Sequence, residues 1–162
     1  MKKLLFGIVF VMIATFCVNA EAKVDVSDSG VYLSPFVGYF FAPGYGINTG
    51  CALGYQFWWG MRLEAVGSYR VMQYYDAPQV AAYALYDIMR SKVVYGTLGF
   101  GGGCAFFNYV VPAAGCRAGI GWNVFDGILS VSVEYIGDMF WYHERREPVY
   151  VNGLNASFKI IF

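Results

Sequence analysis

The last ten residues of the chain alternate between two kinds of side chain. Counted back from the end, every second residue is apolar: Phe162, Ile160, Phe158, Ala156 and Leu154. The positions between them include Lys159, Ser157 and Asn155. A period of two residues is that of a β-strand, whose successive side chains point to opposite faces. The chain is therefore expected to end in a strand with one apolar and one mostly polar face.

The N-terminal segment has the three parts of a secretory signal peptide. Lys2 and Lys3 precede an apolar stretch, residues 4–18, and Ala20 and Ala22 form a small-x-small cleavage site. The apolar stretch is short for a spanning helix, which needs about 20 residues. We expect residues 1–22 to be removed and residues 23–162 to form one domain. An uncleaved anchor is the alternative, which the flanking residues disfavour.

The composition is that of a membrane protein without a membrane-spanning helix. Of all residues 58% are hydrophobic, 20% are aromatic and 14% are charged, whereas soluble domains are about 25% charged. No segment after residue 22 is long and apolar enough for a spanning helix. A membrane β-barrel has this composition because its apolar residues are spread over short strands. The formal net charge of +0 gives no indication of a nucleic-acid partner.

Eight segments have the length and alternation of barrel strands. Turn residues separate them, and bacterial barrels have an even number of strands of about 9–11 residues. The sequence predicts an all-β fold, an eight-stranded antiparallel up-and-down transmembrane β-barrel. Its predicted strands are 31–41, 46–57, 61–71, 79–88, 93–106, 113–124, 128–139 and 149–162.

Charged residues in these strands all fall on one face. A lipid-facing Arg or Lys at mid-membrane costs about 2–4 kcal/mol, so lipid exposure would enforce this segregation. A soluble barrel would also alternate, but these polar faces are rich in Gly, Ala and Ser, which suit a narrow interior better than a solvated exterior. The four cations and four anions are expected to form a buried ion-pair network, since buried charges need partners: Arg62, Glu64, Arg70, Asp87, Arg117, Glu134, Asp138 and Lys159.

Two specific contacts are predicted within this set. A two-residue turn after Val124 would place Arg117 opposite Glu134, and a one-residue slip is excluded because it would turn charges into lipid. The same counting places Arg62 near Asp87 or Gln56.

Aromatic residues cluster near the predicted strand ends, as in the two girdles of a membrane barrel. One group comprises Phe57, Trp58, Trp59, Tyr86, Tyr95, Trp122, Phe125 and Phe162. The other group comprises Tyr39, Phe41, Tyr69, Phe140, Trp141 and Tyr150.

Several segments together resemble the small outer-membrane β-barrel family, the OmpA-, OmpX- and Opa-like group. They are GCALGYQF at 50–57, RLEAVGSYR at 62–70, AYALYDI at 82–88, YGTLGFGGG at 95–103 and the terminal FKIIF. The resemblance implies a bacterial outer-membrane location with both termini in the periplasm. It also implies that the barrel assembly machinery recognises the terminal strand, through Leu154, Phe158, Ile160 and Phe162. The outer loops are short for this family.

The predicted loop between the last two strands holds the only histidine. We expect His143, Glu144, Arg145 and Arg146 to be solvated, with the two arginines placed to bind lipopolysaccharide phosphates. A catalytic site would need a nucleophile or base held by an orienting partner, and no serine lies nearby in sequence. No cofactor and no metal site are predicted.

Three cysteines remain after residue 22, and all are expected to face lipid. If the loop between the fifth and sixth strands centres on Val110, Cys104 and Cys116 lie opposite each other and a disulfide is possible. Cys51 then has no partner in the chain.

The sequence favours a non-enzymatic, porin-like outer-membrane protein with a structural or surface-interaction role. Its partners would be outer-membrane lipid, lipopolysaccharide, the assembly machinery and a possible surface ligand, and not nucleic acid. Two alternatives stay open: an enzyme that modifies lipid A, and a narrow pore for ions or small solutes.

Overall fold

The computed structural model describes residues 29–42, 44–73, 75–88, 90–124, 128–143 and 147–162. The signal-peptide prediction for residues 1–22 lies outside these residues. Eight strands are present in the described chain: β1 Gly30–Ala42, β2 Gly46–Gln56, β3 Met61–Met72, β4 Tyr75–Ile88, β5 Val94–Phe106, β6 Val110–Val124, β7 Leu129–Phe140 and β8 Val149–Ile161. Over the same residues, no helix has the length and apolarity that crossing a membrane requires.

The strands form a closed antiparallel barrel in sequence order, so the predicted fold class is confirmed. β8 returns to β1 and closes the sheet, with Leu33 opposite Ile160. We call the end that carries the β2–β3, β4–β5 and β6–β7 connections the turn side, and the opposite end the loop side. Closure leaves no unpaired strand edge, which a hydrocarbon environment does not tolerate.

Two strands begin three or more residues earlier than predicted, and each contains a proline near its loop-side end. Pro78 lies opposite Tyr69 in the β3–β4 pair, and Pro112 lies opposite Cys104 in the β5–β6 pair. Proline removes one backbone donor and is read as a strand breaker, yet a strand tolerates it where that donor is not required. β4 therefore begins at Tyr75 rather than at residue 79, and β6 at Val110 rather than at residue 113.

The two faces of the sheet separate as the alternation predicts. All eight charged side chains of the predicted interior set are buried inside the barrel. The outward positions carry exposed apolar residues, among them Leu53, Phe100 and Phe158. Asp76 points outward, at the loop-side tip of the extended β4. The barrel is thus apolar outside and charged inside, the reverse of a soluble barrel.

Two predicted strand registers are wrong, each by an even number of residues. Val124 pairs with Leu129, so Glu134 lies opposite Gly119 and not opposite Arg117. Cys116 pairs with Phe100, so Cys104 and Cys116 are not neighbours and the proposed disulfide is absent. Alternation restricts a register to steps of two, but the length of the connection selects among those steps.

Inward-pointing rings occupy the space that inner glycines leave. Five aromatic residues each lie opposite a glycine of the adjacent strand: Tyr32 on Gly54, Phe36 on Gly50, Phe40 on Gly153, Tyr83 on Gly101 and Tyr95 on Gly121. A Cβ at each of these glycines would collide with the ring. Tyr95 and Phe140, which the sequence assigned to the aromatic girdles, are both 3% exposed and point inward. Aromatic rings therefore fill the space beside these five glycines.

An apolar layer closes the interior on the loop side. We call it the apolar seal, and it consists of Phe40, Met72, Ala77, Ala105, Val111, Ala113, Phe140 and Val151. Phe107, Tyr142 and Val149 pack against it from the loops and the start of β8. The polar interior lies between this layer and the turn side.

The glycine–ring packing predicts a difference between two glycine substitutions. Gly54→Val should destabilise the folded barrel by about 1–3 kcal/mol, because the added methyl groups displace the Tyr32 ring from a packed interior. The matched control is Gly67→Val, since Gly67 points outward and a Cβ added there would have no neighbouring atom within 4 Å. Urea unfolding in detergent micelles measures both, and equal stability of the two variants would contradict this packing.

Candidate functional site

The turn-side part of the interior is organised around Arg62 on β3. Its Nε lies 3.0 Å from Asp87 Oδ1, and its Nη2 donates to Thr97 Oγ1 at 2.9 Å. The Thr97 hydroxyl donates in turn to Asp87 at 2.9 Å. The predicted contact between Arg62 and Asp87 is therefore present, and a third strand contributes to it.

Glu64 connects the turn-side group to the middle of the barrel. Its Oε1 accepts from the Tyr32 hydroxyl at 2.6 Å and from Arg62 Nη1 at 3.3 Å. Its Oε2 accepts from Arg117 Nη1 at 3.1 Å. Arg117 belongs to β6, which is not a neighbour of β3, so this contact crosses the lumen.

Arg117 also contacts the carboxylate that the sequence assigned to it. Its Nη1 lies 3.7 Å from Glu134 Oε2, a longer separation than that to Glu64. The guanidinium carbon is 3.9 Å from the centre of the Tyr83 ring. The predicted partner is thus present but secondary, because in the observed register Arg117 lies opposite Ile136 and Glu134 lies opposite Gly119.

A second lumen-crossing pair lies directly beneath the apolar seal. Arg70 on β3 forms an ion pair with Asp138 on β7, and the Tyr83 hydroxyl donates to the same carboxylate at 3.1 Å. The Arg70 guanidinium carbon lies 4.6 Å from the Phe40 ring centre and 5.2 Å from that of Phe140. These two rings belong to the seal, so the cation and the apolar layer pack against each other.

Lys159 differs from the other seven charges. Its Nζ donates to Gln56 Oε1 at 2.9 Å and lies 4.6 Å from the Tyr95 ring centre. Within the described residues no carboxylate lies within 4.0 Å of it. The sequence predicts an ion pair for Lys159. The structure instead places its ammonium group against an amide oxygen and two aromatic rings.

The interior is consequently a set of buried charges, seven of which take part in ion pairs. Among the described residues, Arg70 Nε and Nη1 and Arg117 Nε have no hydrogen-bond partner. Four cations and four anions cancel, and the ion pairs link β3 to β4, β6 and β7. Buried charges left without partners would cost several kcal/mol each. Both Glu64 and Glu134 contact arginine, so neither is arranged as a free acid or base.

The predicted surface residues lie on the outside and at the ends. His143 is exposed in the β7–β8 connection, whereas Glu144, Arg145 and Arg146 lie outside the described residues. The alternating face of β8 points outward, and Phe162 is 78% exposed. Leu154, Phe158 and Ile160 share that outward face.

Aromatic rings surround the barrel near both ends. On the turn side, the rings of Tyr55, Phe57, Trp59 and Tyr86 follow one another at centroid distances of 4.9, 5.7 and 6.4 Å. On the loop side, five large aromatic side chains are exposed: Tyr39, Phe41, Tyr69, Trp141 and Tyr150. This distribution is typical of the girdles at the two interfaces of a membrane.

No protein-family model and no curated protein matches the chain. Solved structures do share its fold. Neisserial surface protein A superposes with a TM-score of 0.69 at 14% identity, over 83% of this chain and 98% of that one. The N-terminal β-barrel domain of Pseudomonas aeruginosa OprF gives 0.62 at 14% identity, over 82% and 100%. A designed transmembrane β-barrel gives 0.52 at 18% identity, over 83% and 98%.

These likenesses show the fold, which is that of a transmembrane β-barrel. The resemblance to small eight-stranded outer-membrane barrels is confirmed at this level.

The lumen-crossing contacts predict that Glu64 matters more to stability than Glu134. Glu64→Gln should lower the free energy of unfolding by about 3–5 kcal/mol, since it leaves two buried arginines short of a partner. Glu134→Gln should cost less, because its contact with Arg117 is longer. Double-mutant cycles with Arg117→Met, measured by urea unfolding in micelles, give the two coupling energies. A larger coupling to Glu134 than to Glu64 would contradict the observed geometry.

Proposed function

We propose that this chain is a non-enzymatic integral protein of the bacterial outer membrane, closed to solutes, with a structural or surface-contact role. One observation carries the proposal: an apolar exterior surrounds an interior filled by paired charges and sealed by rings on the loop side. An eight-stranded barrel is just wide enough for its side chains to fill.

The outer-membrane placement is supported by the distribution of apolar and charged residues between the outer and inner faces of the barrel. Exposed Leu, Val, Phe and Tyr side chains form the outside between two aromatic girdles, while Arg, Glu and Asp lie inside. In lipid this arrangement keeps the charges away from hydrocarbon and pairs the backbone groups between strands. The fold likeness to a Neisserial surface protein and to the OprF barrel accords with this location.

Closure to solutes is supported by three successive barriers. The apolar seal lies on the loop side, and the Arg70–Asp138 pair lies beneath it. Below them, the Arg117–Glu64 contact spans the lumen. A conducting path would have to displace packed rings and break buried ion pairs, so we favour a closed barrel over a narrow pore.

We propose that the loop side faces the outside of the cell and that both termini lie in the periplasm. The connection that carries His143 would then meet lipopolysaccharide, and Arg145 and Arg146 would bind its phosphates. The outward face of β8, formed by Leu154, Phe158, Ile160 and Phe162, would be the surface that the barrel assembly machinery recognises. Its exposure supports this role.

A lipid A-modifying enzyme has less support. Catalysis would require His143 or a carboxylate to be held by an orienting group. The His143 side chain is exposed, and the interior carboxylates contact arginine, tyrosine or threonine groups. We therefore propose a non-enzymatic role.

Planar-bilayer recording tests the closed barrel. The refolded protein should leave the bilayer conductance at its baseline, because side chains fill the lumen. A porin inserted at the same density serves as the control and should give discrete conductance steps. Insertion is verified separately by co-flotation with lipid vesicles. Regular single-channel steps from the inserted protein would contradict the proposal in favour of a pore.

A further inference from the structure

The outward surface of the barrel has a polar recess among apolar residues. It lies across β6, β7 and β8, and we call it the Asn152 notch: Cys116, Tyr135, Gly137 and Asn152. Cys116 lies opposite Gly137 in one strand pair, and Gly137 lies opposite Asn152 in the next. Gly137 forms the floor, since a Cβ there would lie 3.2 Å from Cys116 Sγ and 3.5 Å from Asn152 Oδ1.

The hydrogen bonding within the notch is incomplete. The Tyr135 hydroxyl donates to Asn152 Oδ1 at 2.6 Å. Among the described residues, the Asn152 Nδ2 group has no acceptor, and nothing donates to the Tyr135 oxygen. The notch therefore presents donors and an acceptor side by side. Outward-facing polar groups are costly in lipid unless they are satisfied.

The backbone next to the notch is irregular. The β1–β8 register shifts between Phe40 and Ala42, and Ala42 is the residue opposite Asn152. A β-bulge interrupts regular pairing and is over-represented next to functional sites. The irregular backbone and the incompletely bonded side chains thus meet at one place on the barrel.

The depth of the notch in the membrane indicates which part of a lipid molecule would contact it. Asn152 is three residues from the loop-side start of β8, which is about 7 Å along the axis for a strand tilted by roughly 45°. Tyr150, in the loop-side girdle, is the outward residue above it, and Leu154 is the outward residue below it. The notch therefore lies where acyl chains join their headgroup.

We propose that the Asn152 notch binds the linkage region of an acyl chain of lipid A. This inference rests on the proposed outer-membrane placement with the loop side outward. Amide-linked hydroxyacyl chains carry a carbonyl acceptor for Asn152 Nδ2 and N–H or O–H donors for the Tyr135 oxygen. Glycerophospholipid ester linkages carry acceptors alone and would leave the Tyr135 oxygen without a donor. Gly137 leaves room for the chain to pass.

Native mass spectrometry of the refolded barrel in micelles tests the proposal, with purified lipid A titrated against phosphatidylethanolamine. Asn152→Leu, Tyr135→Phe and Gly137→Val each should weaken lipid A binding by about tenfold, the effect of losing roughly one hydrogen bond or the space for the chain. Thr49→Val is the matched control, because Thr49 is an exposed polar residue three positions from the loop-side end of β2. It should bind lipid A like the parent.

Heat-modifiable electrophoretic mobility shows whether each variant is folded, and Tyr135→Phe preserves the shape of the side chain. Unchanged lipid A binding in the folded notch variants would overturn the proposal that the Asn152 notch is the binding site. An equal loss of binding in Thr49→Val would overturn it as well. Phosphatidylethanolamine binding as tight as that of lipid A, with the same dependence on Asn152, would overturn the assignment to lipid A. Failure of the parent to enter lipid vesicles would instead contradict the proposed function on which the notch depends.

Discussion

Pairing of charges inside a narrow lumen is the constraint on which the remaining structure depends. Arg62, Arg70 and Arg117 cannot point outward in a transmembrane barrel without a cost of about 2–4 kcal/mol each at mid-membrane. Pointing inward, they need partners, because all three are buried. Glu64 and Asp138 supply those partners from across the lumen or along the same strand. The arginines therefore fix the alternation of the strands and fill the barrel at the same time.

The inner glycines follow from the same constraint. A lumen that holds three arginines and their carboxylates has space for large rings only where the adjacent strand carries a glycine. Tyr32 lies over Gly54 and Tyr95 over Gly121, and both rings also lie within 6 Å of the Arg62 guanidinium carbon. Each glycine thus accommodates a ring that in turn stabilises a buried cation.

Alternation in the sequence was sufficient to predict the fold and the direction of every interior charge, since a period of two assigns each side chain to one face. It could not predict which charges meet. The contact between Arg117 and Glu64 joins strands that are not neighbours, and pairwise strand counting never places them together. Pro78 and Pro112 concealed the loop-side ends of two strands, which shortened the predicted hairpins and displaced the register of Cys116 by an even number of residues. Tyr95 and Phe140 lie near strand ends, which predicts a place in the girdles. Their positions in the alternation instead direct both rings into the lumen.

Collisional accessibility of a nitroxide at Cys51 tests most directly whether the apolar face meets lipid. Cys51 is free, lies on β2 and points outward. In protein refolded without residues 1–22, which contain Cys17, the changes Cys104→Ala and Cys116→Ala leave Cys51 as the single site for the label. In phospholipid vesicles, relaxation by oxygen should be strong and relaxation by a water-soluble nickel chelate should be weak. A label at Ser34→Cys, which points into the filled lumen, should respond weakly to both in a Cys51→Ala background. Strong relaxation of the Cys51 label by the nickel chelate in the folded protein would show that this face meets water and would contradict the account.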